Sequence, residues 1–320
     1  MFPIPADPLA QRLLLNALPG VGPATVRRLR DAFGGDLAAA LRARPAELAR
    51  LKGVGAKLAA TIAARDFDWA AELARVEALG FRVVAEGAPD WPLAFAPLWD
   101  PPLVLYAEGA ALPGERAVAI VGSRHCTAYG AGLARRFARE LAAAGWWIVS
   151  GLARGIDTAA HEGALDADGR TVAVLGHGLD LTYPPEGRAL RARMRERGGV
   201  LSEFPLGRPA DRQSFPQRNR IVAALVRAVV VIETDVDGGS LITARFAGDL
   251  GKTLCAVPGR VDSPASRGCH ALLRDGATLV TGVDDILREL GEARDQAALP
   301  LPATAAPAPE HARWLRPFAG

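Results

Sequence analysis

The stretch Ala117-Val118-Ala119-Ile120-Val121-Gly122-Ser123-Arg124 is an apolar run that ends at a glycine, a hydroxyl and a guanidinium. Such a run, too short for a helix and apolar throughout, fits a strand buried on both faces of a parallel sheet. The unit recurs downstream. Strands are expected at 117–121, 147–150, 171–175, 200–202, 228–233, 253–257 and 278–280, with helical stretches filling most of the gaps. This alternation specifies an α/β fold, an extended Rossmann-like sheet, parallel or mixed, with helices on both faces. Upstream, a helix at 69–79 and strands at 81–85 and 103–106 flank a passage carrying Pro89, Pro92, Pro97, Pro101 and Pro102, where regular helix is excluded. Residues 67–114 therefore read as a connecting extension of a Rossmann-like domain at 115–290.

In sheets of this class ligands bind beyond the carboxyl ends of the strands. There the sequence is polar and rich in glycine: Gly122-Ser123-Arg124, then Ser150-Gly151-Leu152-Ala153-Arg154-Gly155-Ile156-Asp157, then Gly176-His177-Gly178-Leu179-Asp180. Two more strips open helices, Phe215-Pro216-Gln217-Arg218-Asn219-Arg220 and Gly238-Gly239-Ser240-Leu241-Ile242-Thr243. Glycine lets backbone amides face an anion, Ser123 and Ser150 add hydroxyls, and Arg124, Arg218 and Arg220 add charge. Five such turns on one rim are expected to hold phosphate. The arginines Arg188, Arg191, Arg193, Arg195 and Arg197 form either a solvated helix face or a charged track leading into that rim.

The 320 residues are half hydrophobic and 23% charged, so the chain has material for a real core, and a wholly disordered protein is excluded. No apolar run reaches the roughly 18 residues of a membrane span. The longest, at 221–232, is interrupted by Arg227, and residues 1–9 lack a secretory pattern, so a cytoplasmic location is expected. Cys126, Cys255 and Cys269 show no paired ligand spacing and read as reduced thiols, with no metal site. The dinucleotide pattern Gly-x-Gly-x-x-Gly and the nucleoside triphosphate loop are both missing. Asp157 and His161 sit one helical turn apart without a third partner, so neither a catalytic residue nor a cofactor is expected. The net charge of +3 permits a polyanionic partner without demanding one. Only Lys52, Lys57 and Lys252 among the 38 basic residues are lysines, a bias that suits phosphate forks or reflects genome composition.

The N-terminal region carries a repeat. Leu18-Pro19-Gly20-Val21-Gly22-Pro23 and Leu51-Lys52-Gly53-Val54-Gly55-Ala56 each end one helix in Gly-Val-Gly and start another, leaving amides open for a phosphate beside Arg27, Arg28 or Lys57. Residues 1–66 are thus expected to form a small all-α, SAM-like domain with tandem helix-hairpin-helix motifs. Such a domain either makes weak duplex DNA contacts or keeps the hairpin fold for packing alone.

Val121-Gly122-Ser123-Arg124, Ser150 through His161, and Val174-Leu175-Gly176-His177-Gly178-Leu179-Asp180 resemble, in order, motifs of the bacterial DNA-processing protein A family, DprA or Smf. Leu201-Ser202-Glu203-Phe204-Pro205, Phe215 through Arg220, Gly239 through Ala244 and Ala256-Val257-Pro258-Gly259 extend the resemblance across roughly residues 100–289. It implies a non-enzymatic protein that binds single-stranded DNA, protects it in natural transformation and helps load a RecA-type recombinase. By position, Gly122, Ser123, Arg124, Gly151, Arg154, Arg218, Asn219 and Arg220 would line the DNA pocket, with Gly239 and Ser240 as backbone donors. The family's homodimer contact corresponds to 269–279, with Leu273 and Leu279 as interface apolars. Some members carry a DNA-contacting lysine where this chain has Pro185, so Arg188 or Arg191 is expected to replace it, and His270 stands where asparagine is common. Residues 291–320 read as an Ala/Pro-rich linker and tail too short for the winged helix that ends many members. The alternative from another class is an enzyme acting on a small nucleotide through the same rim. Its expected Pro-Gly-Gly-x-Gly-Thr stretch is lacking at Asp237-Gly238-Gly239-Ser240.

Overall fold

A computed structural model describes residues 2–109 and 112–292, so the tail expected at 291–320 falls almost wholly outside the described residues. The helical region comprises α1 (Pro8–Ala17), α2 (Pro23–Ala32), α3 (Leu37–Arg42), α4 (Pro45–Leu48), α5 (Ala56–Ala64) and α6 (Trp69–Ala78). The sheet region runs β1 (Arg82–Ala85), β2 (Val104–Gly109), β3 (Ala117–Gly122), α7 (Ala128–Ala143), β4 (Trp147–Ser150), α8 (Ile156–Asp166), β5 (Thr171–Leu175), α9 (Arg188–Arg197) and β6 (Gly199–Ser202). It continues with α10 (Ser214–Ala224), β7 (Ala228–Ile232), α11 (Ser240–Asp249), β8 (Thr253–Ala256), α12 (Pro264–Arg274), β9 (Thr278–Leu279) and α13 (Val283–Glu289).

Among the described residues nine strands form one mixed sheet in the order β1-β2-β6-β5-β4-β3-β7-β8-β9. Strands β3 to β9 pair in parallel, whereas β1 and β2 add an antiparallel edge onto β6. Alternation along β3 splits its side chains between two cores. Val118 and Ile120 join Phe137 of α7 and Ile156 of α8, while Ala119 and Val121 join Val222 of α10 and Ala244 of α11. Helices therefore cover both faces, as an all-buried parallel strand requires.

The two hairpins turn through Gly20 and Gly53 at φ +78° and +80°, and the next helices start behind Gly22 and Gly55. Helix α1 ties this region to the sheet. Leu14, Leu15 and Leu18 pack in the helical core, whereas Leu13 reaches Val104 and Tyr106 of β2. Asn16 Nδ2 donates to Glu203 O at 2.7 Å, and Glu72 of α6 accepts from Tyr106 Oη at 2.9 Å and from the Leu206 amide at 2.8 Å. No helix among the described residues is long and apolar enough to cross a membrane.

His161 of α8 is fully buried, with Nδ1 2.7 Å from Thr171 Oγ1, which itself donates to Ile148 O. Thr171 therefore accepts from Nδ1–H, and Nε2 has no partner among the described residues. Burial, with a smaller push from Arg218, lowers its pKa to about 3. The unfolded chain takes up a proton near the ordinary 6.5 that the folded one refuses, so stability is full above that pH and is lost on acidification. The cost is about 1.4 kcal/mol per pH unit. Chemical denaturation between pH 6.5 and 4.5 should show a shallower decline in His161→Asn than in the parent chain; equal slopes would reject this assignment.

Candidate nucleic-acid interface

Strand order reverses at β3, which lies between β4 and β7. Helix α7, leaving β3, covers one face and α11, leaving β7, covers the other, so a crevice opens beyond the carboxyl ends of these two strands. It is a cleft of about 630 Å³ on the α10–α11 side, lined by Gly122 to Arg124, by Gly151 and Asp157, by Phe215, Arg218 and Asn219, and by Thr234, Asp235 and Asp237 to Ser240. A side pocket of about 130 Å³ adjoins it through Arg124, Gly151 and Phe215, and adds Gly176, His177 and Tyr183. All five turns singled out in the sequence thus meet on one rim.

Gly122 is needed for the strand approach rather than for an anion, since a Cβ there would lie 1.9 Å from Ile232 O. The Ser123 amide donates to Glu233 O at 2.7 Å, and its hydroxyl accepts from the His125 amide at 3.1 Å. This turn leaves Arg124 exposed, with its guanidinium carbon 4.6 Å above the Phe215 ring and no ion pair among the described residues. Phe215 also lies 6.2 Å from the Tyr183 ring, which lies 6.5 Å from His177, so aromatic groups continue from the guanidinium into the side pocket.

Arg218 is buried beneath Gly151. A Cβ at 151 would fall 2.0 Å from its Nη1, so only glycine leaves room for the guanidinium. Nη1 donates to Val174 O, and among the described residues Nε is buried without a partner and no carboxylate forms an ion pair with the group. Burial first, and then Arg124, lowers its pKa to about 10, against the pull of Asp157. Asp157 Oδ2 accepts from the amides of Gly151 at 3.0 Å and Ala153 at 3.4 Å. Burial pushes this carboxyl up, while Arg218 and the two amides hold it down. His161 points elsewhere, to Thr171, so the two residues one turn apart on α8 do not share a ligand.

Several expectations are corrected. The Gly151 amide is satisfied internally by Asp157, so this residue serves the rim by making room, not by donating. Arg191 is buried, with Nη2 2.6 Å from Glu108 Oε2 and further bonds to the carbonyls of Leu179 and Leu181. It braces α9 against β2 and cannot replace a DNA-contacting lysine. Arg220 is equally enclosed, 2.7 Å from Glu203 and 3.1 Å from Asp100. Of the charged track along α9, Arg195 and Arg197 are paired with Glu108 and Asp168, while Arg188 and Arg193 are exposed and unpaired among the described residues. Arg154 is exposed but paired with Glu186. Asn219 Nδ2 donates to Gly239 O at 3.3 Å, and Ser240 Oγ donates to Thr234 Oγ1 at 2.7 Å. The Leu241 and Ile242 amides turn back to Gly238 and Gly239, leaving those of Gly239 and Ser240 without a backbone acceptor among the described residues. Arg212, Phe215 and Tyr183 are additions the sequence did not single out as contacts.

A family model described as DNA recombination-mediator protein A matches residues 82–291, and one for a SAM-like helix-hairpin-helix tandem matches 12–65. The chain belongs to the DNA-processing protein A family. The DprA-family protein Smf of Synechocystis is 36% identical over 289 residues, 87% of this chain and 72% of that protein. The X-ray structure of DprA from Streptococcus pneumoniae superposes with a TM-score of 0.74 at 32% identity, covering 88% of this chain and 98% of that one. A DprA structure from Helicobacter pylori, reported for its single-stranded DNA binding mode, gives 0.60 at 32% identity over 66% of this chain and 96% of that one.

For this DprA-family chain no group of three His, Cys, Asp or Glu side chains among the described residues is placed to hold a metal. The thiols are free, and burial pushes Cys255 up to about 12 and Cys269 up to about 11. The Arg220–Glu203 pair gives a direct stability test, because removing one partner strands the other charge. Arg220→Met should destabilise the chain by about 3–5 kcal/mol, and adding Glu203→Leu should restore much of the loss. Thermal and urea unfolding of the two variants would show this, and a double variant no better than the single would contradict it.

Proposed function

We propose that this chain binds single-stranded DNA across the cleft at the sheet's reversal point. Arg218 carries the reading: a buried guanidinium with one carbonyl acceptor and, among the described residues, an unpartnered Nε and no paired carboxylate, beside an exposed Arg124. A phosphate at this place supplies the counter-charge that Arg218 lacks. The cleft also holds Asp157, Asp235 and Asp237, yet the first is bonded to loop amides and the second to Arg267 at 2.8 Å.

The aromatic side pocket explains a preference for unpaired strands. A base turned away from its phosphate can stack near Phe215 and Tyr183, and duplex pairing resists that turn. Sequence preference is weak because every base has a stacking face. Arg154 lines the side pocket and meets the backbone there after exchanging Glu186 for phosphate, while Arg188 lies outside both linings and acts on the approaching strand. The Gly239 and Ser240 amides and Asn219 complete the set on the far side.

Protection of the incoming strand follows from enclosing it, and hand-over to a RecA-type recombinase follows from holding the strand by its phosphates without covalent chemistry. The resemblance to the DprA family supports both, as it supports a cytoplasmic place of action and a role without turnover. A homodimer forms through the edge strand β9, where Leu279 is 53% exposed, and the adjoining Leu273 of α12. Two linked clefts raise apparent affinity for strands long enough to reach both. Duplex contact falls to the second hairpin, where Lys52, Gly53, Gly55 and Lys57 are exposed and the exposed Arg28 lies beside Gly53, while Arg27 stacks on Trp99 and Arg30 pairs with Glu86.

Arg124→Ala and Arg218→Met should each weaken binding of an oligonucleotide by about tenfold or more and flatten the log affinity against log salt plot by about 0.7 per lost phosphate contact. Anisotropy titrations at several salt concentrations read both quantities. Unchanged affinity and slope in folded variants would reject the cleft as the binding site. Leu279→Glu should convert the dimer to a monomer in sedimentation, and an unaltered mass would exclude this edge as the interface.

A further inference from the structure

A second cavity, of about 570 Å³, lies on the other side of β7 from the DNA cleft, between the start of α7 and the start of α12. Its wall is apolar, built by Leu133, Ile232, Val257 and Pro258. One end is polar. Ser263 stands at the N-cap of the eleven-residue helix α12 without capping it, and Ser266 follows in its first turn. Ser266 is 5% exposed, lines the cavity and makes no side-chain hydrogen bond among the described residues. Gly259 faces it, and a Cβ there would lie 2.1 Å from Ser266 Oγ, so the glycine keeps the hydroxyl open.

The charges around this end are unevenly committed. Arg260 pairs with Asp262 at 2.7 Å, but both side chains are largely exposed, and such a pair contributes little and exchanges readily. At the other end Glu233 accepts from the Thr127 amide at 2.7 Å and from Thr127 Oγ1 at 2.5 Å, one bond on each oxygen, so each keeps capacity for another donor. The cavity therefore offers the Ser263 and Ser266 hydroxyls and the Arg260 guanidinium for an anion, an apolar wall, and an acceptor for an amino group.

We propose that this cavity is a second ligand site that takes a free nucleoside monophosphate with an amino-bearing base. The phosphate lies against the start of α12, Ser263, Ser266 and Arg260. The base lies on Leu133, Ile232 and Val257, and its amino edge donates to Glu233. The site is separate from the DNA cleft, and its occupation does not depend on the proposed strand binding.

Calorimetric titration of the full chain with AMP, adenosine and inorganic phosphate tests this. AMP should bind about tenfold tighter than either fragment, because only AMP engages both ends. Ser266→Ala and Gly259→Val should each weaken AMP by about fivefold or more while leaving oligonucleotide affinity unchanged. Arg260→Gln, a surface change, gives the same readout should Gly259→Val lower the melting temperature. AMP binding no tighter than phosphate, binding insensitive to these substitutions, or displacement of AMP by a saturating oligonucleotide would each overturn the proposal.

Discussion

A guanidinium held inside a protein without a carboxylate against it is costly, and Arg218 is held that way. Its position follows from the architecture. Helix α10 brings the side chain under the β4 exit, the missing side chain of Gly151 gives it room, and Asp157 steadies the charge from a distance while its Oδ2 accepts from two loop amides. The reversal of strand order at β3 then opens the crevice onto which this under-partnered cation faces.

The arginines divide by what they touch rather than by where they fall in the chain. Arg191, with Arg195, is spent on Glu108, and Arg220 on Glu203 and Asp100; these fasten the antiparallel edge and the loops beneath the rim. Arg124 is supported by a ring instead of an acid, which leaves its donors available. The cleft lining carries Arg124, Arg212 and Arg218 together with Asp157, Asp235 and Asp237, so its pull on a phosphate comes from where Arg124 and Arg218 stand rather than from an excess of positive charge.

The strand positions were legible in the sequence because apolar runs and their glycine-rich ends are local signals, and the switch-point rule then placed the turns on one rim. Ion-pair partners were not legible. Arg191 meets a glutamate 83 residues away and Arg220 an aspartate 120 residues away, and nothing local distinguishes them from Arg124 or Arg218. The Gly151 amide misled for a related reason: a glycine-rich turn shows that amides can face an anion, but not that Asp157 already supplies one. The antiparallel joining of β1 and β2 to β6, far along the chain, was likewise hidden from local pattern.

The central claim is that Arg218 meets a phosphate of an unpaired strand. Side-chain NMR of nitrogen-labelled arginine, with Arg218→Met to assign its signal, tests this in solution. Strand binding across this cleft should shift and protect the Arg218 Nε resonance when an unpaired oligonucleotide is added, and leave it unmoved with a blunt duplex. A signal that ignores the single strand while surface arginines respond would contradict it.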